Sequence, residues 1–164
     1  MYIGKISFGF DDVWLQKLIY AMLSIGCKAA IKAVIFLATR TENLPKPGMV
    51  QIADHIGENV HTVGKLLQKL VKAGIINSSK GPTGGFFISD VQRDQPLLAI
   101  VHEIDGAEVF NQCGLGLSEC SSTKPCPLHH AYKGIRDAFE KLCRENTIRD
   151  ACMPVKDGIA YLLN

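Results

Sequence analysis

Six cysteines occur in this chain, and three of them crowd into fourteen residues. The segment CGLGLSECSSTKPC places Cys113, Cys120 and Cys126 at intervals of seven and six, with His129 three residues further on. Thiolates and imidazole are the protein ligands that zinc and iron–sulfur clusters accept. Gly114, Gly116, Ser118, Ser121 and Ser122 leave the intervening backbone free to wrap a compact group. Structural zinc sites usually draw their ligands from tight Cys-x-x-Cys pairs, and this loop has none. On the chemistry of these residues alone, an iron–sulfur cluster and zinc stand level, with a plain thiol switch behind them. Pro127 suits the first position of a helix, which would make Cys126 its N-cap and set that thiolate at the positive end of the helix dipole. His129 and His130 follow three and four residues after Cys126, so either ring can approach the same first turn; one of the two is a surface group. Cys27, Cys143 and Cys152 stand in helical or tail contexts and read as small buried apolar side chains.

Upstream of this loop, residues 49–90 read as a two-helix reader followed by a hairpin. The helices are expected over Val50–Ile56 and Val60–Ala73, meeting at Gly57, a residue suited to a tight turn with positive φ. Asn59 is the expected N-cap of the second helix. In that helix Val63, Leu66, Leu67, Leu70 and Val71 recur at helical spacing and should face a core, leaving His61, Thr62, Lys65, Gln68, Lys69 and Lys72 on the other side. Hydrogen-bonding groups at the start of a helix and cations along it suit a major groove. Asn59, His61, Thr62 and Lys65 are therefore candidates for base contacts, and Lys69, Lys72 and Lys80 for phosphate contacts. Ile75–Ser79 and Gly85–Ser89 read as strands joined by Lys80, Gly81, Pro82, Thr83 and Gly84, with Gly81 and Thr83 as further candidate DNA contacts. The expected fold is mainly α with a small β-hairpin wing, a winged helix-turn-helix, plus a long C-terminal dimerisation helix. Such scaffolds also bind other proteins, so the fold alone does not fix the function.

With 164 residues, 47% hydrophobic and 21% charged, the chain has the balance of an ordinary globular protein. Its net charge of +2 is unevenly spread: residues 22–90 hold eight Lys/Arg against four Asp/Glu, and residues 91–164 hold eight against ten. The basic half coincides with the reader, as phosphate neutralisation requires. The cysteine usage favours metal or redox chemistry in the cytoplasm over a disulfide framework. Asp11 and Asp12 interrupt the start where a secretory signal would be apolar, and no long uncharged apolar run predicts a membrane span. No nucleophile–base pairing, phosphate-cradling loop or paired carboxylates stand out, which argues against an enzyme.

Along the rest of the chain, residues 1–21 form an extension of uncertain status, with an amphipathic helix around Val13, Trp14, Leu18 and Ile19 as one reading. Ile25–Thr39 is apolar on nearly all sides and should be buried. Residues 22–95 make the DNA-binding domain, and 96–164 the loop and dimerisation region. In the latter, Pro96–Ile104 is a short helix, Asp105–Pro125 a long loop, and Pro127 to about Glu145 a helix whose Leu128, Ala131, Ile135, Ala138, Phe139 and Leu142 form an apolar stripe. Such a stripe predicts a partner helix, hence a homodimer on a palindromic double-stranded operator. Asn146–Asn164 reads as a packing tail.

Three stretches together carry a resemblance: LSIGCKAAIKAVIFLA at the first helix, LLQKLVKAGIINSSKGPTGGFFIS across reader and wing, and CGLGLSECSSTKPCPLHH before a long helix. From Met22 to about Asp150 the chain resembles the cluster-binding branch of the bacterial winged-helix regulators typified by IscR, NsrR and CymR, the Rrf-type regulators. The resemblance implies a homodimeric transcription factor holding an iron–sulfur cluster, [2Fe-2S] ahead of [4Fe-4S], through Cys113, Cys120 and Cys126 with His129 as fourth ligand. Zinc is the alternative metal, and an iron–sulfur carrier or protein-interaction module the alternative from another class. Some relatives take the fourth ligand from the first helix of the other subunit; Lys28 stands at the matching place, with Cys27 beside it. The first cysteine interval is one residue longer than in the cluster-assembly regulator. Thr62, Gly64 and Lys65 replace its base-reading residues, and Lys80 stands where the family's wing often has arginine, which removes a bidentate fork.

Overall fold

Ser24 opens the first described helix, α1 (Ile25–Thr39), its hydroxyl accepting the Cys27 N–H at 3.0 Å. The computed structural model describes residues 22–41, 44–118 and 120–163, so the expected helix around Val13, Trp14, Leu18 and Ile19 lies outside the described residues. As its composition dictates, α1 is enclosed: Cys27, Ala29, Ala30 and Val34 are at most 1% exposed, and Ala33 to Ala38 are all buried. Its small alanines let neighbouring helices approach closely.

The reader follows as α2 (Met49–Ile56) and α3 (Val60–Lys72). Gly57 ends α2 at φ 67°, the left-handed conformation its position was expected to need. Asn59 caps α3, its Oδ1 accepting the N–H of His61 at 2.9 Å and of Thr62 at 3.3 Å. Lys32, a polar residue on α1, reaches across to this turn. Its ammonium donates to the Ile56 carbonyl (3.0 Å) and to Glu58 (2.6 Å), meeting the orphan carbonyl at the end of α2 with a cation.

The wing is an antiparallel pair, β1 (Asn77–Ser79) and β2 (Gly85–Phe87), in register Asn77↔Phe87, Ser78↔Phe86 and Ser79↔Gly85. Both strands are shorter than the expected Ile75–Ser79 and Gly85–Ser89. The Ile75 N–H is taken by the Leu70 carbonyl (3.0 Å) at the end of α3, and Ser89 caps a short helix, α4 (Asp90–Arg93). Gln92, 9% exposed, ties these pieces together. Its Oε1 accepts from Asn77 Nδ2 (2.7 Å), Ser89 N (2.9 Å) and Ser89 Oγ (3.1 Å), while its Nε2 donates to the Gly74 carbonyl (2.9 Å).

Helix α5 (Leu97–Asp105) follows, with Pro96 as N-cap. The segment expected as one loop from Asp105 to Pro125 begins instead with a 3₁₀ turn, Ala107–Phe110, that buries Val109 and Phe110. Helix α6 runs His129–Glu145 rather than from Pro127. Pro127 and Leu128 lie in a tight turn closed by the His129 N–H on the Cys126 carbonyl (3.0 Å), so Cys126 meets the helix through its backbone and is not its N-cap. The tail conceals helix α7 (Ile148–Lys156), started by a reciprocal Thr147–Asp150 cap and packed on α1 through the buried Ile148 and Cys152.

Two apolar clusters result. The larger joins α1, the reader and α7; the smaller sets Met22, Leu23 and Cys27 against Val101, Val109, Phe110, Phe139 and Cys143. Among the described residues no helix is long and apolar enough to cross a membrane. Replacing Gln92 by Ala strands the amide of Asn77 and the N–H of Ser89 and leaves the Gly74 carbonyl only the longer bond from Gln95 (3.4 Å). The expected loss is about 2–3 kcal/mol in denaturant unfolding; a loss under about 0.5 kcal/mol would show that water satisfies these groups equally well.

Candidate functional site

One face of α6 lines the cysteine loop. His129, Tyr132 and Arg136 follow at the spacing of one helical stripe, and each touches the loop at a different level. The His129 ring, 4% exposed, sets Nδ1 3.3 Å from Cys120 Sγ. The Tyr132 ring lies under Gly114, where a Cβ would approach its Cγ to 2.8 Å, so a side chain there would displace the ring. Arg136 donates from a terminal nitrogen to the Gln112 carbonyl at 2.7 Å. The same stripe continues through the buried Phe139 and Cys143. The expected stripe divides: Phe139 is buried and Ile135 packs on the core, whereas Leu128 (48%), Leu142 (43%) and Ala131 are exposed, as a face awaiting a partner would be.

The structure brings the four expected donors into two pairs. Cys113 Sγ lies 3.9 Å from Cys126 Sγ, and Cys120 Sγ lies against His129. Two thiolates about 2.3 Å from one tetrahedral metal stand about 3.8 Å apart, and a thiolate and an imidazole nitrogen about 3.5 Å. Each pair therefore has the separation of two ligands on one metal. Among the described residues no three such side chains converge on a single point. The backbone N–H groups of Leu115 and then Leu117 hold the Cys113 thiol below its ordinary value, aided by Cys126. His130 points to solvent, edge-on to His129 at 5.1 Å between ring centres. The remaining cysteines are buried. Burial, with Asp105 next, pushes the Cys27 thiol up to about 12; burial, with Glu140 next, pushes Cys143 up to about 11.

On the reader, His61, Thr62, Lys65, Gln68, Lys69 and Lys72 are all exposed on α3, and Lys80, Gly81 and Thr83 are exposed at the tip of the wing. Asn59 has its side-chain oxygen engaged in the cap. Gly64 faces inward, where a Cβ would fall 2.4 Å from Met49 Sδ; it is the point at which α2 crosses α3 rather than part of the exposed face.

A family model described as an iron-dependent transcriptional regulator, Rrf2, matches residues 23–153. The chain belongs to the Rrf2 family. It is 27% identical over 128 residues to an HTH-type transcriptional regulator of Aquifex aeolicus, a match covering 74% of this chain and 84% of that protein. It is 22% identical over 119 residues to the HTH-type transcriptional regulator IscR of Vibrio atlanticus, covering 73% and 68%. The fold is similar to that of CymR, the global cysteine regulator of B. subtilis, with TM-score 0.62 at 20% identity over 79% of this chain and 95% of that one. The structure of T. potens IscR is similar to the same degree, TM-score 0.62 at 20% identity over 84% and 90%. The mainly helical winged helix-turn-helix expected from the sequence is thus found, and this Rrf2 protein is a transcriptional regulator.

Three residues of this Rrf2 chain escaped the sequence reading. Lys46 lies at the base of the wing, its ammonium 4.2 Å above the Phe87 ring and 3.2 Å from Ser79 Oγ. Gln92 and Arg136 are buried polar groups whose partners come from distant segments. A signal for Arg136 existed: it falls at helical spacing with His129 and Phe139.

A thiol held below its ordinary value ionises at lower pH than an unperturbed cysteine. In metal-free reduced protein, the ultraviolet thiolate absorbance should therefore show one component that titrates below the others, and Cys113→Ser should remove it. If the titration of Cys113→Ser differed from wild type only in amplitude at high pH, the N–H cradle would have no electrostatic effect.

Proposed function

We propose that this regulator is a homodimer whose grip on a palindromic operator is set by a [2Fe-2S] cluster bound through Cys113, Cys120, Cys126 and His129. The observation that carries the reading is the division of these donors into two pairs at ligand separation. A two-iron cluster takes two protein ligands on each iron, whereas a four-iron cube takes one per iron, and mononuclear zinc takes all its ligands about one point. Pairs at 3.9 and 3.3 Å without a common point favour the two-iron form. Such a cluster, when bound, supplies a centre sensitive to oxidation, nitric oxide and iron supply.

The protein's own part is to translate loop order into the position of its helices. The loop leaves the 3₁₀ turn at Phe110 and ends on the first turn of α6. Whatever fixes Cys126 and His129 therefore fixes where α6 begins. Leu128 and Leu142 on its outer side, with the shallow groove lined by Leu23, Ile25 and Leu97, offer the surface for the second subunit. Residues 22–95 then act as the reader and residues 96–164 as the sensing and dimerisation part, in the cytoplasm. Asn59, His61, Thr62 and Lys65 meet bases through whatever groups the cap leaves free, Lys69, Lys72 and Lys80 meet phosphates, and Gly81 and Thr83 approach the backbone from the wing.

Anaerobic purification should give a coloured protein with iron and acid-labile sulfide in equal amounts. Replacing Cys113, Cys120 and Cys126 by Ser should abolish both, and a colourless protein with stoichiometric zinc would overturn the cluster. For the reader, Lys69→Gln should weaken operator and random DNA alike and reduce the salt slope of log K by about 0.9. An unchanged slope would remove Lys69 from the phosphate contacts.

A further inference from the structure

Arg136 is 5% exposed, and burial of a guanidinium usually requires a carboxylate beside it. None is present among the described residues: its single hydrogen bond goes to the Gln112 carbonyl, and its Nε, fully enclosed, has no partner. The other cations of α6 behave differently, since Lys133, Lys141 and Arg144 pair at the surface with Asp137, Glu145 and Glu140. Among the described residues Arg136 is thus a buried positive charge with no carboxylate partner, fastened to the residue that immediately precedes Cys113. It shares a helix stripe with Tyr132, which underlies Gly114, and with His129, which meets Cys120.

Those neighbours decide what charge is missing. A cluster held by three thiolates and a neutral imidazole is anionic, because the thiolates outweigh the charge of the iron–sulfide core, and it gains a further negative charge on reduction. We propose that Arg136 is the built-in counter-charge of the metal centre, a positioning and tuning residue that ligates nothing but makes an anionic, thiolate-bound group cheaper to hold inside the protein and easier to reduce. The inference rests on the cluster reading above. In the metal-free chain the same guanidinium is a liability, since an uncompensated buried charge opposes folding.

This double role gives the test. Full-length wild type, Arg136→Met and Arg136→Lys are purified anaerobically and melted with and without their cluster. In wild type, loading raises the melting temperature. In Arg136→Met the metal-free protein should melt no lower than wild type, while the rise on loading shrinks. The variant should also lose iron to a chelator roughly tenfold faster, the factor that one charge-assisted hydrogen bond is worth. Its midpoint potential, followed by dithionite bleaching of the visible absorption, should fall, and Arg136→Lys should restore most of both effects by keeping the charge. Equal loss of stability in the loaded and metal-free forms would make Arg136 a mere anchor of Gln112 and overturn the proposal. So would failure of metal-free Arg136→Met and Arg136→Gln to fold. A wild type that holds neither iron nor sulfide would instead sink the cluster reading, and this inference with it; a coloured wild type with an unaltered variant sinks this inference alone.

Discussion

A helix that is apolar on nearly all sides has to be enclosed, and the enclosure of α1 governs the arrangement of everything else. The reader helices cover one side and α7 another, while the start of α1 enters the second cluster with α5, the 3₁₀ turn and α6. Because packed interiors transmit displacement rather than absorb it, the base of α6 and the reader share one rigid neighbour. Lys32 makes that neighbour specific. A single ammonium on α1 meets both the last carbonyl of α2 and Glu58 in the turn before α3. The angle at which α3 is presented is therefore referenced to α1 by a directional contact as well as by apolar packing.

The cysteine loop relates to this frame in the opposite way. Past Phe110 and up to α6 its described residues form no regular ladder, and they are held by isolated contacts with α6: the Gln112 carbonyl on Arg136, Gly114 on Tyr132 and Cys120 on His129. All three lie on the stripe that continues into Phe139 and Cys143 in the second cluster. A segment with few contacts of its own takes its order from what it binds, and the element it would order is anchored in the same cluster as the start of α1. The part that carries the cysteine loop and the helix-turn-helix thus meet through packed helices.

How much of this could be read in advance depended on whether the deciding interaction was local. Helix α1 was bounded correctly from Ile25 to Thr39 because an apolar run this long, interrupted only by Lys28 and Lys32, leaves no alternative. The Gly57 turn and the Asn59 cap were legible because each is settled within four residues. Cys126 as a cap was a misreading of the same local kind: Pro127 permits a helix start, but the tight turn closed by His129 N–H postpones it to His129. The tail hid α7 because Pro154 and a polar sequence mask a helix whose stability comes from Ile148 and Cys152 against α1. The pairing of Cys113 with Cys126 and of Cys120 with His129 crosses the order of the residues in the chain, so spacing alone could suggest the donor set but not its division.

The buried polar side chains among the described residues separate structural from functional needs. They are Gln92, His129 and Arg136. Gln92 has partners for both ends of its amide and closes a network between the wing and the end of α3, as a polar group retained for the fold must. Arg136 has one bond and an enclosed nitrogen left over, and the ring of His129 is held against a thiol rather than a strong acceptor. Folding does not require that arrangement, since an apolar residue at either place on the α6 stripe would pack at lower cost. An enclosed nitrogen without a partner and a ring held against a thiol, on the same few turns of helix and both facing the cysteine loop, are what a fold retains where stability is subordinate to holding something else.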